Sequence, residues 1–313
     1  MSRPLARAPR LLAVAALLLP LAACGGGDPA AGADRELEPG DAVRVLDDTR
    51  VAGLGDDPAL TMALPTGTLG LGWSTDADLL ATVTADDGAS LTAADGAELV
   101  ALAWDVDTTQ TQVDGVAAEV LAGTAPHELV LVSGDQRTTI SPEDAADGER
   151  AVTGMAVVAV EDADDLALEA TFDGVTQTVG PGAEQRDVPD EAAPLYEEAP
   201  AFSGSLDCGA EVFCRVDAAW LPWVSGEGWA EPGTLWPVVR VEGRVPGARG
   251  EVEVTTTLDG VEPLSVSDLG AGDGRWNRLV VLPATAPGGS TLAVEATGDG
   301  VDPVTGEVVL THP

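Results

Sequence analysis

The chain has 313 residues, of which 53 are Asp or Glu against 15 Arg and no Lys, for a formal net charge of −38. A body this acidic is repelled by nucleic acid and by anionic surfaces, which excludes a nucleic-acid binder. Hydrophobic residues are 45% of the chain, enough to pack cores and to exclude a disordered acidic tail, and the length suits two domains.

At the start, Arg3, Arg7 and Arg10 make a positive segment, and Leu11 to Leu21 is an apolar run broken only by Pro20. That run is too short for a membrane-spanning helix and has the build of an export signal. Ala22 and Ala23, both small, precede Cys24. The tetrapeptide Leu21-Ala22-Ala23-Cys24 resembles the lipobox of bacterial lipoproteins. The resemblance implies a signal peptide over residues 1–23, cleavage before Cys24, diacylglyceryl and palmitate-type acylation of Cys24, and a mature protein anchored on the extracytoplasmic face of the cell membrane. An ordinary secretory peptide followed by a free cysteine is the plainer alternative. Residues 24–34, opening Gly25-Gly26-Gly27, have no apolar periodicity and read as a lipidated tether reaching about 15–20 Å.

Residues 35–186 form the first expected domain. Arg35 to Pro65 reads as a leading strand or extended segment, after which Glu98 to Asp107, Glu128 to Val132 and Gly154 to Val160 are β-branched or apolar runs of strand length. One short helix is predicted over Pro142 to Arg150, with Ser141 as its N-cap. Residues 187–203, rich in Pro and acidic residues, read as a linker open to proteolysis. A second domain over 204–313 then predicts strands at Val212 to Val216, Trp236 to Val245, Glu251 to Leu258, Arg278 to Leu282, Thr291 to Ala296 and Gly306 to Leu310.

An internal repeat links the halves. Leu166-Ala167-Leu168-Glu169-Ala170-Thr171-Phe172-Asp173-Gly174-Val175 matches Leu292-Ala293-Val294-Glu295-Ala296-Thr297-Gly298-Asp299-Gly300-Val301 at eight of ten positions. Each copy alternates like a strand and then meets Asp-Gly, the pair favoured in a two-residue type I′ hairpin turn because both residues take φ > 0. Asp-Gly-Val also occurs at Asp114-Gly115-Val116 and at Asp259-Gly260-Val261. Two copies of one pattern in matching order predict an all-β fold of two tandem antiparallel β-sandwiches. In outline this resembles the tandem immunoglobulin-like modules of exported bacterial lipoproteins, without a Cys-Trp-Cys core signature.

With Cys24 lipidated, Cys208 and Cys214 are the remaining thiols and are expected to pair in an oxidising compartment, a short loop whose closure stabilises by roughly 2 kcal/mol. The two histidines, His127 and His312, are too few for a His-cluster metal site, and no nucleophile elbow, Walker loop or His-Glu-x-x-His motif is present. Trp220, Trp223, Trp229 and Trp236 fall within 17 residues. Trp236 is expected to point into the core, while Trp223 and Trp229, on turn-like sequence, are the candidate platform for a sugar ring or a partner protein. Acidic loops at Asp86-Asp87-Gly88, 161–165 and 268–274 could supply oxygen ligands to calcium, against the plainer reading as solvated turns; no cofactor is expected. The expected function is a non-catalytic binding or interaction module at the cell envelope, with a glycan or protein partner. A surface glycan hydrolase, needing two facing carboxylates in a cleft beside the tryptophans, is the alternative. A substrate-binding lipoprotein of an import system would need two α/β lobes, which the strand pattern opposes.

Overall fold

Alternation decides which runs become strands and which faces they bury. In Leu166–Phe172 the side chains of Leu166, Leu168, Ala170 and Phe172 are buried and those between them are half-buried. The computed structural model describes residues 34–45, 48–56, 58–107, 120–121, 127–140, 153–180, 186–209 and 212–312. The expected signal peptide, Cys24, the tether up to residue 33, the helix over 142–150 and the turn at Asp114-Gly115 lie outside them.

The first half is a sandwich of two five-stranded sheets. Its first sheet runs Ala42–Arg44, Thr153–Val160, Glu98–Asp107, Gly67–Ser74, Leu60–Leu64, and its second runs Arg186–Asp187, Val175–Val179, Leu166–Phe172, His127–Ser133, Gln136–Thr139. Met62, Leu69, Leu71, Val100 and Leu102 from one sheet meet Leu129, Leu131, Leu168 and Phe172 from the other. The second half repeats the layering. A third sheet (Ala201–Ser205, Phe213–Leu221, Trp236–Arg244, Arg275–Val281, Ser265–Gly272) faces a fourth (Arg249–Leu258, Gly288–Asp299, Val304–His312) across Val216, Val239, Val241, Val254, Leu292 and Leu310. All pairings within these four sheets are antiparallel.

Seven strands in each half correspond. Those beginning at Leu60, Gly67, Glu98 and Thr153 lie side by side in that order, as do those beginning at Ala201, Phe213, Trp236 and Arg275. Facing them, the strands beginning at His127, Leu166 and Val175 match those beginning at Arg249, Gly288 and Val304. The repeated decapeptide occupies the sixth strand of each set. The first, second, third and fifth strands thus face the fourth, sixth and seventh. An immunoglobulin domain sets its first, second, fifth and fourth strands against the third, sixth and seventh, so the sandwich is shared and that strand order is not.

The Asp-Gly turns form where the next residue can rejoin the ladder. Asp173 (φ 47°) and Gly174 (φ 79°) make a two-residue hairpin turn, as do Asp259 (φ 51°) and Gly260 (φ 80°). At the second copy of the repeat, Asp299 stays in its strand and only Gly300 turns left-handed (φ 79°). Pro303, which has no N–H to donate, precedes the next strand and the connection is longer.

Both halves use the outer face of their four-strand core sheet. In the first half Ala101, Ala103, Val157 and Ala159 pack against Leu37, Val43, Val45, Val51 and Leu91, so Val100–Trp104 are buried without a break. In the second, Ala219, Leu221, Val238, Leu279 and Val281 join the core of the first half. One apolar core therefore runs through the seam, and the described residues fall in one compact unit.

Residues 187–203, expected as a free linker, are not free: the 3-10 turn within them is pinned on the first half, and Ala201–Ser203 pair in the third sheet. The 3-10 turn Ala193–Tyr196 brings the Tyr196 hydroxyl to donate to Gln177 Oε1 (2.7 Å) and accept from the Ala63 N–H (3.3 Å). Gln177 Nε2 in turn donates to the Ala63 carbonyl (2.9 Å), and the Arg186 guanidinium lies 4.9 Å above the Tyr196 ring.

Candidate functional site

The clustered tryptophans build the seam. Trp223–Val224 and Gly228–Trp229 form a two-stranded ribbon with Trp223 opposite Trp229. The ribbon closes over the hairpin turn after Phe172, whose ring meets Trp223 edge-on at 5.1 Å and Trp229 at 6.1 Å. Trp223 Nε1 donates to Asp173 Oδ2 (2.8 Å) and Trp229 Nε1 to the Phe172 carbonyl (3.0 Å). The Asp-Gly turn of the repeat and the tryptophan cluster, separate features of the sequence, thus hold each other. The turn's left-handed backbone aims the Asp173 carboxylate at the indole.

This geometry corrects two expectations. An aromatic platform needs an open ring face; Trp223 is 3% exposed and part of the shared core, and Trp229 is half-buried with its N–H already bonded. Trp236 lies on the outer face of its sheet, half-buried against the first half's core, with Nε1 donating to the Gly228 carbonyl (3.1 Å). It does not enter its own sandwich, because the inner positions of that strand are Val239 and Val241.

Beside the ribbon the seam opens into a cleft of about 600 Å³. The first half supplies its wall at Leu64 and Pro65, the 193–200 segment at Pro194 and Leu195, and the second half at Trp220, Trp223, Leu235 and His312. Glu197 and Glu198, both exposed, also line it. The His312 imidazole stacks on Trp220 at 5.6 Å and 17°, is 7% exposed, and its Nδ1 has no hydrogen-bond partner among the described residues. The sequence holds a signal for this placement, since His312 keeps the period-two phase of buried Leu310 and Gly306. Tyr196 stands behind the cleft wall, and its burial pushes the phenol pKa up.

Cys208 and Cys214 are disulfide-bonded. The bridge sits against the last strand at Gly306, where a Cβ would crowd the Cys208 sulfur. His127 begins a strand opposite Phe172; its side chain lies outside the described residues. The acidic loops serve their own turns: Asp87 Oδ1 accepts from the Ala89 N–H (3.0 Å) and Asp162 Oδ1 from the Asp164 N–H (2.9 Å). The 268–274 stretch is not a loop but a strand ending in a hairpin turn at Asp273 (φ 50°) and Gly274 (φ 76°). Among the described residues, no three His, Cys, Asp or Glu converge on a point that could hold a metal ion. Comparisons with protein-family models, with curated proteins and with solved structures found no match to this chain.

Proposed function

We propose that the chain is exported, is held on the extracytoplasmic face of a membrane by lipid on Cys24, and binds a small, mostly apolar envelope molecule in the cleft at the seam. The observation that carries the binding reading is the buried Nδ1 of His312, which has no hydrogen-bond partner among the described residues, in an aromatic and aliphatic wall. A buried polar group left unpaired costs about 1–3 kcal/mol, and a ligand that supplies its partner recovers that cost. Pockets between domains, apolar with a few convergent polar groups, are where small ligands bind. The lipobox resemblance and the disulfide suit an oxidising extracytoplasmic address.

Native mass spectrometry of the protein after equilibration with a lipid and small-molecule extract of cell envelope tests the cleft. A bound species should appear with the natural sequence and vanish in Thr234→Trp, which fills the cleft from a half-buried position. The same species at the same occupancy in both proteins would sink the cleft as its site. For the anchor, Cys24→Ser should abolish palmitate labelling and release the protein from the membrane fraction; equal labelling would end the lipoprotein reading.

A further inference from the structure

We propose a second binding site, on the outer face of the third sheet at the end away from the seam, for a small ligand that carries one oxyanion on an apolar, ring-bearing body. The strand register sets Phe213, Arg244, Arg275 and Gly272 in one row across four neighbouring strands. Arg244 and Arg275 are directly opposite, which puts their Cβ atoms about 4.5–5.5 Å apart. Both are exposed, and neither makes an ion pair among the described residues. Like charges facing across a sheet are destabilising, and an oxyanion bridging the two guanidiniums would reverse the sign.

The next rows along the strands are neutralised from within. Arg215 pairs with Asp217 (3.1 Å), and Arg240 approaches Glu242 (4.0 Å) while its Nε donates to Asn277 Oδ1 (3.0 Å). Among the described residues, the arginines of this face that make no ion pair are therefore confined to the Arg244 and Arg275 row. Beside it the edge strand presents Gly270 and Gly272 to this face, and a Cβ built at either would touch nothing within 4 Å. The result is a shallow hollow of about 950 Å³. On the other side of the arginines stands Phe213, 60% exposed, its ring stacked on no other ring among the described residues. Glu242 and Asp273 also line the hollow. They repel a second anionic group, which favours a ligand with a single oxyanion over a polyanionic chain.

This hollow shares no lining residue with the cleft at the seam, so either site stands or falls without the other. The test is calorimetric titration with phenyl phosphate in low-salt buffer, because exposed charges are screened as salt rises. Arg244→Gln and Arg275→Gln should each weaken binding about tenfold, and Arg35→Gln, an exposed arginine in the first half, should leave it unchanged. Phe213→Ala should weaken phenyl phosphate while leaving inorganic phosphate as it was. Unchanged far-UV circular dichroism is expected for every variant, since all the altered side chains are exposed. The proposal is overturned if phenyl phosphate does not bind at millimolar concentration, if Arg35→Gln weakens it as much as Arg275→Gln, or if the protein binds phosphatidylglycerol vesicles but not phenyl phosphate.

Discussion

The sheet that carries Glu98–Asp107 is buried on both faces, whereas its counterpart carrying Trp236–Arg244 is covered on one face and only the seam end of the other. The inner faces of both are largely apolar at alternate residues, with Arg278 beside Val241 a charged exception in the second. The outer faces diverge: Ala101, Ala103, Val157 and Ala159 in the first half, against Val238, Arg240, Glu242 and Asn277 in the second. A sandwich needs only its inner faces to fill one another, so the outer face is free to take a covering layer, a seam or a charged surface. The halves also agree on a detail of packing with the roles exchanged. Trp104 of the third strand lies over Gly154 of the fifth, and Trp276 of the fifth lies over Gly243 of the third. A Cβ on either glycine would enter the indole ring, so the core demands the paired volume and is indifferent to which strand supplies it.

That equivalence is broken most severely at the indoles. Trp104→Ala and Trp276→Ala should each lose about 3–5 kcal/mol in urea unfolding; a loss under about 1 kcal/mol in one half would end the correspondence. Next comes the seam. The natural protein should melt in one transition because its core is continuous, and Trp223→Ala should lose about 3 kcal/mol and split that transition in two. Asp173→Ala, which strands the Trp223 N–H, should cost about 1–3 kcal/mol with the same tendency. Two transitions already present in the natural protein would show that the halves unfold separately.

Smaller effects separate local from shared stability. Replacing Cys208 and Cys214 together with Ser should remove roughly 2 kcal/mol and lower only the second of the two transitions in the Trp223→Ala background. Tyr196→Phe should cost about 1 kcal/mol by loosening the clasp on Ala63 and Gln177. Burial raises the Tyr196 pKa above its ordinary 10.0, so the unfolded chain loses that proton first. Its contribution is complete below pH 10 and falls as pH rises from there through the folded value. Tyr196→Phe should flatten this alkaline limb in pH-dependent melting, and an unchanged limb would remove Tyr196 as its source.

Strands that alternate strongly were legible in the sequence. Glu98–Asp107 matches its predicted bounds, and Trp236–Arg244 and Arg249–Leu258 differ from theirs by one or two residues. Gly67–Ser74 was not legible, because Gly67, Gly70 and Gly72 look like loop. They are glycine because other chain segments press on them: a Cβ at Gly72 would collide with the Leu54 carbonyl and one at Gly70 would crowd Pro58. Ser265–Gly272 was hidden in the same way by Gly270 and Gly272, which keep the face beside Arg275 open.

Alternation, turn chemistry and the repeated decapeptide by themselves determined an all-β chain of two similar antiparallel sandwiches with hairpins at Asp173-Gly174 and Asp259-Gly260. These are effects of neighbours in sequence, and period two with φ > 0 at Asp-Gly is local physics. Which outer face meets the other half was decided only in three dimensions. Trp223 reads as an exposed turn residue until Asp173, 50 residues earlier, closes on its indole N–H. His312 reads as a lone histidine near the chain's end until Trp220 stacks on it and its Nδ1 is buried with no hydrogen-bond partner among the described residues. Contacts between segments so far apart carry no periodicity of their own, so burial at the seam, and the cleft it leaves, belong to the tertiary structure alone.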